Sequence, residues 1–151
     1  MHRVFVALAM LAPMLTHAAP LIGLSAADVP ALLKPPSHGE RIIELWALDC
    51  VYCELNMQAA AAFQRAHPDD VQLITVATDS IAQKDAILER LHATGLDRYA
   101  ARAYTDATPE RINYLLDPGW GGETPRTLVI HANGTTRGIS GALTPQRLPA
   151  L

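Results

Sequence analysis

The sequence predicts an α/β fold on a parallel β-sheet, and three observations carry that prediction. Arg41 to Leu48 is a mostly apolar run, with Ile42, Ile43 and Trp46, of the length of a buried strand. Val71 to Ala77 is a second, nearly continuous apolar run, the pattern of a strand buried on both faces. Each run precedes a stretch of helical composition, and strand, helix, strand, helix in that order implies right-handed crossovers between parallel strands.

Met1-His2-Arg3, the apolar stretch Val4 to Leu15 and the small residues up to Ala19 fit a secretory signal peptide over residues 1–19, cleaved after Ala18 or Ala19. The apolar stretch is too short to span a bilayer as a helix, and an uncleaved signal anchor is the alternative. Residues 20–40 carry Pro30, Pro35, Pro36 and Gly39 and read as an N-terminal lead-in, with one short helical possibility at Ala26 to Leu33, ahead of a domain over 41–151. Val51 to Ala66 is alanine-rich and stopped by His67-Pro68, which reads as a helix. Asp79 or Ser80 can cap the next helix, which runs to about Ala93 and ends at Thr94-Gly95.

Leu96 to Trp120 reads as an insertion, in which Arg98 to Tyr104 and Glu110 to Leu116 suit either helix or strand between breaks at Pro109 and Pro118. Thr127 to His131 and Thr135 to Ile139 flank Ala132-Asn133-Gly134, a hairpin signal because Asn and Gly both tolerate positive φ. Thr144-Pro145 has the capping residue and the proline of a last helix start.

At 151 residues, 50% of them hydrophobic, the chain can build a core that needs no disulfide scaffold. Its formal net charge is −3, one unit more negative without Arg3, and its basic residues are scattered. That pattern gives no electrostatic footprint for nucleic acid and no polybasic membrane patch. No later segment is apolar enough to cross a membrane, so stable insertion is not expected after signal cleavage. Secretion would place the mature chain in the periplasm or otherwise outside the cytoplasm, where cysteine pairs can stay oxidised.

The only cysteines, Cys50 and Cys53, stand between the first apolar run and its helix, and the uses open to them are a redox pair, a metal clip and a staple. A strand that delivers such a pair to a helix start favours ionisation of the leading thiol. Unpaired N–H groups and the positive end of the helix dipole lower its pKa from about 8.5 toward roughly 3.5 to 7.5. Cys50 is therefore the candidate nucleophile, and Cys53, one turn further in and shielded, would resolve the mixed disulfide. Zinc would need two more ligands, and His38, His67, His92 and His131 are dispersed. A staple closing so small a loop would constrain the unfolded chain little. Cu(I) is the remaining metal reading, with Met57 as a soft ligand beside the two thiolates, although a methionine on a helix face also serves as packing.

Trp46-Ala47-x-x-Cys50-x-x-Cys53 after an apolar strand, with Thr124-Pro125 ahead of Thr127 to His131 and the Asn-Gly hairpin, resembles the thioredoxin superfamily over roughly Arg41 to Leu148. With its leader and single domain the chain is most similar to the extracytoplasmic TlpA/ResA-like thiol-disulfide oxidoreductases. The resemblance implies a thioredoxin-like fold, a central mixed sheet flanked by helices with an inserted segment before the strand that follows a cis-proline. It implies that Pro125 is that cis-proline, facing the cysteine pair, where Thr124 would present its backbone to an extended substrate. The alternative is a trans proline at a strand start. Glu44 falls where thioredoxins keep a buried acid that relays protons to the resolving cysteine; burial would raise its pKa, and a solvated strand-edge glutamate is the other reading.

Two positions depart from the pattern. Asp49 replaces the usual tryptophan before the first cysteine, where it can cap the helix or pair with Arg126. Tyr52 replaces proline in the spacer, which is similar to the spacer of periplasmic disulfide isomerases, and spacer residues tune redox potential. Trp120, just before Gly121-Gly122-Glu123, can form a lip over the site for substrate binding or pack in the core.

The expected activity is exchange of disulfides with protein substrates through Cys50 and Cys53, with no cofactor beyond that redox-active pair. The resemblance favours the reductive direction and suggests a DsbD-like membrane protein as electron donor. The alternatives are a Cu(I)-binding module using the same cysteines and a disulfide isomerase or oxidase; no separate dimerisation segment is present to support an isomerase.

Overall fold

The computed structural model describes residues 18–144 and 147–148. Six strands form one sheet in the order β1-β4-β3-β2-β5-β6. They are β1 (Leu21–Leu24), β2 (Glu40–Trp46), β3 (Val71–Ser80), β4 (Ala100–Tyr104), β5 (Arg126–His131) and β6 (Thr136–Ser140). The first four in that spatial order run parallel, whereas β5 is antiparallel to β2 and to β6. Among the described residues four helices flank it: α1 (Val29–Leu32), α2 (Cys53–Ala66), α3 (Lys84–Ala93) and α4 (Pro109–Leu116). The sheet is mixed, as expected, and parallel where crossover helices join its strands.

Strand β2 lies in the middle of the sheet and is buried along both faces. Its side chains alternate, so Ile42 and Trp46 pack with Met57, Ala60 and Ala61 of α2, while Ile43 and Leu45 pack with Val29, Ile112 and Leu116 of α1 and α4. Glu44 lies on the α2 side by the same alternation. In α2 the buried positions 53, 56, 57, 60 and 61 repeat at helical spacing and form one stripe against the sheet.

Three segments differ in detail from the reading of the sequence. The lead-in at 20–40 contributes β1, the edge strand paired with β4, and the short helix α1. Four residues are too few to display alternation, so β1 depends on its partner rather than on its own pattern. The segment 96–120 resolves into β4, inserted between β1 and β3, followed by α4. Ala100-Ala101-Arg102-Ala103 has no strand composition, and only its place between two strands makes it one. Strand β3 runs on to Ser80, and a 3₁₀ turn at Ile81–Gln83, capped by Ser80 Oγ accepting from the Ala82 N–H, precedes α3.

The hairpin forms where Asn-Gly marks it, with different turn chemistry. Only Gly134 has positive φ (87°); Asn133 instead accepts hydrogen bonds from the N–H and hydroxyl of Thr135. The residues of the expected leader up to position 17 lie outside the described residues, as do Pro145 and Gln146 of the expected last helix. The backbone N–H groups of Arg147 and Leu148 donate to Thr144 O. Among the described residues no helix is long and apolar enough to cross a membrane.

Candidate active site: the disulfide between strand and helix

After Trp46 the chain leaves the sheet and turns twice before α2. The Cys50 N–H donates to Ala47 O (3.2 Å) and the Cys53 N–H to Cys50 O (3.4 Å). Helix α2 therefore begins at Cys53, two residues later than its composition suggests, and Val51 and Tyr52 form the turn between the cysteines. Cys50 and Cys53 form a disulfide, with S–S 2.06 Å and Cα–Cα 5.5 Å. Cys50 is half-buried and Cys53 has no exposed surface. The helix start is not capped by a side chain, so its free N–H groups and dipole act on the turn that carries the sulfurs.

Asp49 serves neither of its expected uses. Tyr52 occupies the N-cap position of α2, and Arg126 pairs with Asp117 and donates to Ser140 Oγ on the other face of the sheet. Asp49 is exposed. The approach to Cys50 is held instead by residues the sequence did not assign to the site, among them Asp79, expected only as a helix cap. Leu48 N–H donates to Asp79 Oδ2 (2.8 Å) at the end of β3, and Arg90 of α3 donates to Leu48 O (3.3 Å). Thr78 Oγ1 donates to Trp46 O. Around the disulfide Val51, Tyr52 and Leu55 are 84%, 70% and 67% exposed, an apolar rim on the solvent side.

Glu44 is fully buried on β2, so the solvated alternative does not apply. Its Oε2 accepts from Thr127 Oγ1 (2.7 Å) and its Oε1 has no hydrogen-bond partner. Burial pushes the Glu44 carboxyl up to about 8; Thr127 opposes this, and the Asn56 amide opposes it more weakly. Asn56, one helical turn beyond Cys53, is itself buried, donating to Gly141 O (2.8 Å) and accepting from the Leu143 N–H (2.9 Å). Its place in the buried stripe of α2 was a signal, since a polar residue on an apolar helix face needs partners.

The Thr124–Pro125 peptide is cis. Pro125 is buried and precedes β5, whose Arg126 lies in register with Leu45, so the proline sits beside the end of β2 from which the cysteine turn departs. Pro125 O accepts from the Gly141 N–H (3.0 Å). Trp120 does not form a lip: it is 5% exposed, packs with Ile112 and Leu116, and donates its indole N–H to Glu123 O (2.7 Å). The turn at 117–123 is shaped by Trp120 pointing inward, where its large apolar surface fills the α4 side of the core. Met57 is buried in the cluster that contains Cys53. Among the described residues no three His, Cys, Asp or Glu side chains gather to hold a metal ion.

No family model matches the chain, and no curated protein matches it. Among solved structures it is similar to a secreted Mycobacterium tuberculosis disulfide oxidoreductase homologous to E. coli DsbE, with TM-score 0.55 and 16% identity over 69% of this chain and 70% of that one. StoA from Bacillus subtilis matches with TM-score 0.55 and 19% identity over 75% and 81% of the two chains. The thioredoxin domain of a thiol-disulfide oxidoreductase from Bacteroides vulgatus matches with TM-score 0.52 and 12% identity over 66% and 68%. At these identities the likeness is one of fold, and the fold is thioredoxin-like.

Proposed function

We propose that the chain is an extracytoplasmic thiol-disulfide oxidoreductase of the TlpA/ResA-like kind that reduces disulfides in protein substrates. One observation carries this reading: of two bonded sulfurs at a helix start, Cys50 is open to solvent and Cys53 is closed off. An incoming substrate meets only the first. Two of the similar structures are described as disulfide oxidoreductases and one of these as secreted, which supports the class and the compartment.

In the reduced protein the Cys50 thiolate attacks one sulfur of a substrate disulfide and expels the other as a thiolate, forming a mixed disulfide. The Cys53 thiolate then attacks Cys50 Sγ, which restores the Cys50–Cys53 bond and releases the reduced substrate with both electrons. Glu44, whose carboxyl holds a proton up to about pH 8, relays the Cys53 proton once its own has been lost to solvent. Val51, Tyr52 and Leu55 give a substrate chain an apolar rim, and the backbone of Thr124 pairs with it in extended form. A dithiol donor, a DsbD-like membrane protein by the resemblance, re-reduces the pair through the same exchange in reverse.

The test is reduction of insulin by dithiothreitol. The chain accelerates it, Cys50→Ser abolishes the acceleration, and Cys53→Ser accumulates the mixed disulfide. A protein inert in this assay that binds Cu(I) tightly through both cysteines would establish the copper-handling reading instead. Equilibration with glutathione gives the direction: a potential near about −270 mV fits a reductant and one near about −120 mV an oxidant.

A further inference from the structure

On the sheet face opposite α2, away from the cysteines, lies a cavity of about 260 Å³. Arg41, Ile74 and Arg102 reach it from β2, β3 and β4, on the side to which Ile43, Val76 and Tyr104 also point. Leu24 of β1 and Leu32 of α1 supply apolar walls, and Ala31 and Asp28 stand at its open mouth.

The charges around this cavity do not balance. Arg41 donates only to neutral acceptors, the carbonyls of Leu32 and Lys34 and the side-chain oxygen of Gln72. Among the described residues neither Arg41 nor Arg102 forms an ion pair with a carboxylate. Asp28, the one acid at the mouth, is exposed and accepts its hydrogen bonds from the N–H and hydroxyl of Ser25. Two half-buried guanidinium groups therefore face a part-apolar hollow with a single exposed carboxylate, Asp28 in the field of Arg102, as counter-charge, in a chain whose net charge is −3. Taking such cations partly out of water is unfavourable unless an anion offsets it, and guanidinium matches a carboxylate with two parallel hydrogen bonds.

We propose that this cavity binds a small amphiphilic carboxylate, its head on Arg102 within the field of Arg41 and its hydrocarbon tail against Leu24, Leu32 and Ile74. The volume sets the size. A cavity of about 150 Å³ holds the six non-hydrogen atoms of benzene, so this one takes about ten, room for the eight of a six-carbon carboxylic acid. The pocket shares no lining residue with the cysteine turn, so occupancy needs no redox turnover.

The experiment titrates the ¹⁵N-labelled full chain with sodium hexanoate, with 1-hexanol as the tail without charge and sodium phosphate as charge without a tail. Hexanoate gives saturable amide shifts at Ala31, Ile74 and Arg102, and each control binds at least about tenfold more weakly, because each lacks one half of the recognition. Arg102→Gln weakens hexanoate about tenfold by removing the charged partner. Ala31→Trp blocks the mouth, keeps both guanidinium groups and abolishes the shifts. The proposal is overturned if hexanoate gives no saturable shift, if either control binds as well, or if both variants, folded by circular dichroism, bind like the parent chain.

Discussion

Glu44 and Thr127 face each other directly across the β2–β5 pair, both fully buried, with Thr127 Oγ1 donating to Glu44 Oε2 at 2.7 Å. A lone hydroxyl is weak compensation for a carboxyl taken out of water, and the second oxygen has no partner. The carboxyl answers by holding its proton to about pH 8.

That retained proton has a pH signature in the oxidised protein. The ordinary value of Glu44 is 4.5 and its folded value is about 8, so between these the unfolded chain has lost a proton that the folded chain keeps. The contribution is fully present below about pH 4.5 and is lost as pH rises toward 8, at about 1.4 kcal/mol per pH unit. Glu44→Gln removes this slope while leaving those of all other groups. Urea unfolding of the two proteins at a series of pH values checks it: the stability difference between them changes steadily across that window and is flat below it.

Thr127→Val deletes the hydroxyl that stabilises the carboxylate. The Glu44 carboxyl rises above its present value, so the pH window of lost stability extends upward. Burying the acid without its donor costs about 1–3 kcal/mol at neutral pH. Infrared spectroscopy of the Glu44 carboxyl during a pH titration reads the shift directly.

Asn56 joins α2 to the chain after β6 through two hydrogen bonds, one part-buried and one buried. Asn56→Ala leaves Gly141 O and the Leu143 N–H without partners and costs about 1–3 kcal/mol for each, an effect that chemical denaturation measures. Asn56→Asp keeps the acceptor for Leu143 but loses the donor to Gly141, and adds a second acid near Glu44; it destabilises most at high pH.

Asp79 and Arg90 hold the two sides of Leu48, two residues ahead of Cys50. Asp79→Ala frees the Leu48 N–H and costs about 1–3 kcal/mol. Hydrogen exchange localises the change: protection falls at Leu48 and Cys50 before it falls at Ile43 in the middle of β2. Equal loss at all three positions would count against a local clamp.

The sequence made some of this legible and hid the rest for physical reasons. Strands β2 and β3 stand out because central parallel strands are apolar along their whole length, and α2 because its composition and its stop at His67-Pro68 agree. The cysteines stand out because nothing else in the chain shares their chemistry. Strand β4 is hidden, since an alanine-rich segment takes its conformation from β1 and β3 on either side. Trp120 was ambiguous between rim and core because an indole suits both, and only the packing of α4 decides it. Asp79, Arg90 and Thr127 could not be found in advance, because their partners are 31, 42 and 83 residues away in the chain.

Cys50, half-buried ahead of the uncapped start of α2, is on this reading an acidic thiol used as a nucleophile. The most direct test reduces the protein and measures the rate of iodoacetamide labelling at Cys50 against pH, with Cys53→Ser to isolate the signal. The expected midpoint lies well below the ordinary thiol value of about 8.5, inside the range of roughly 3.5 to 7.5 seen at such helix starts. A midpoint at or above about 8.5 would contradict it.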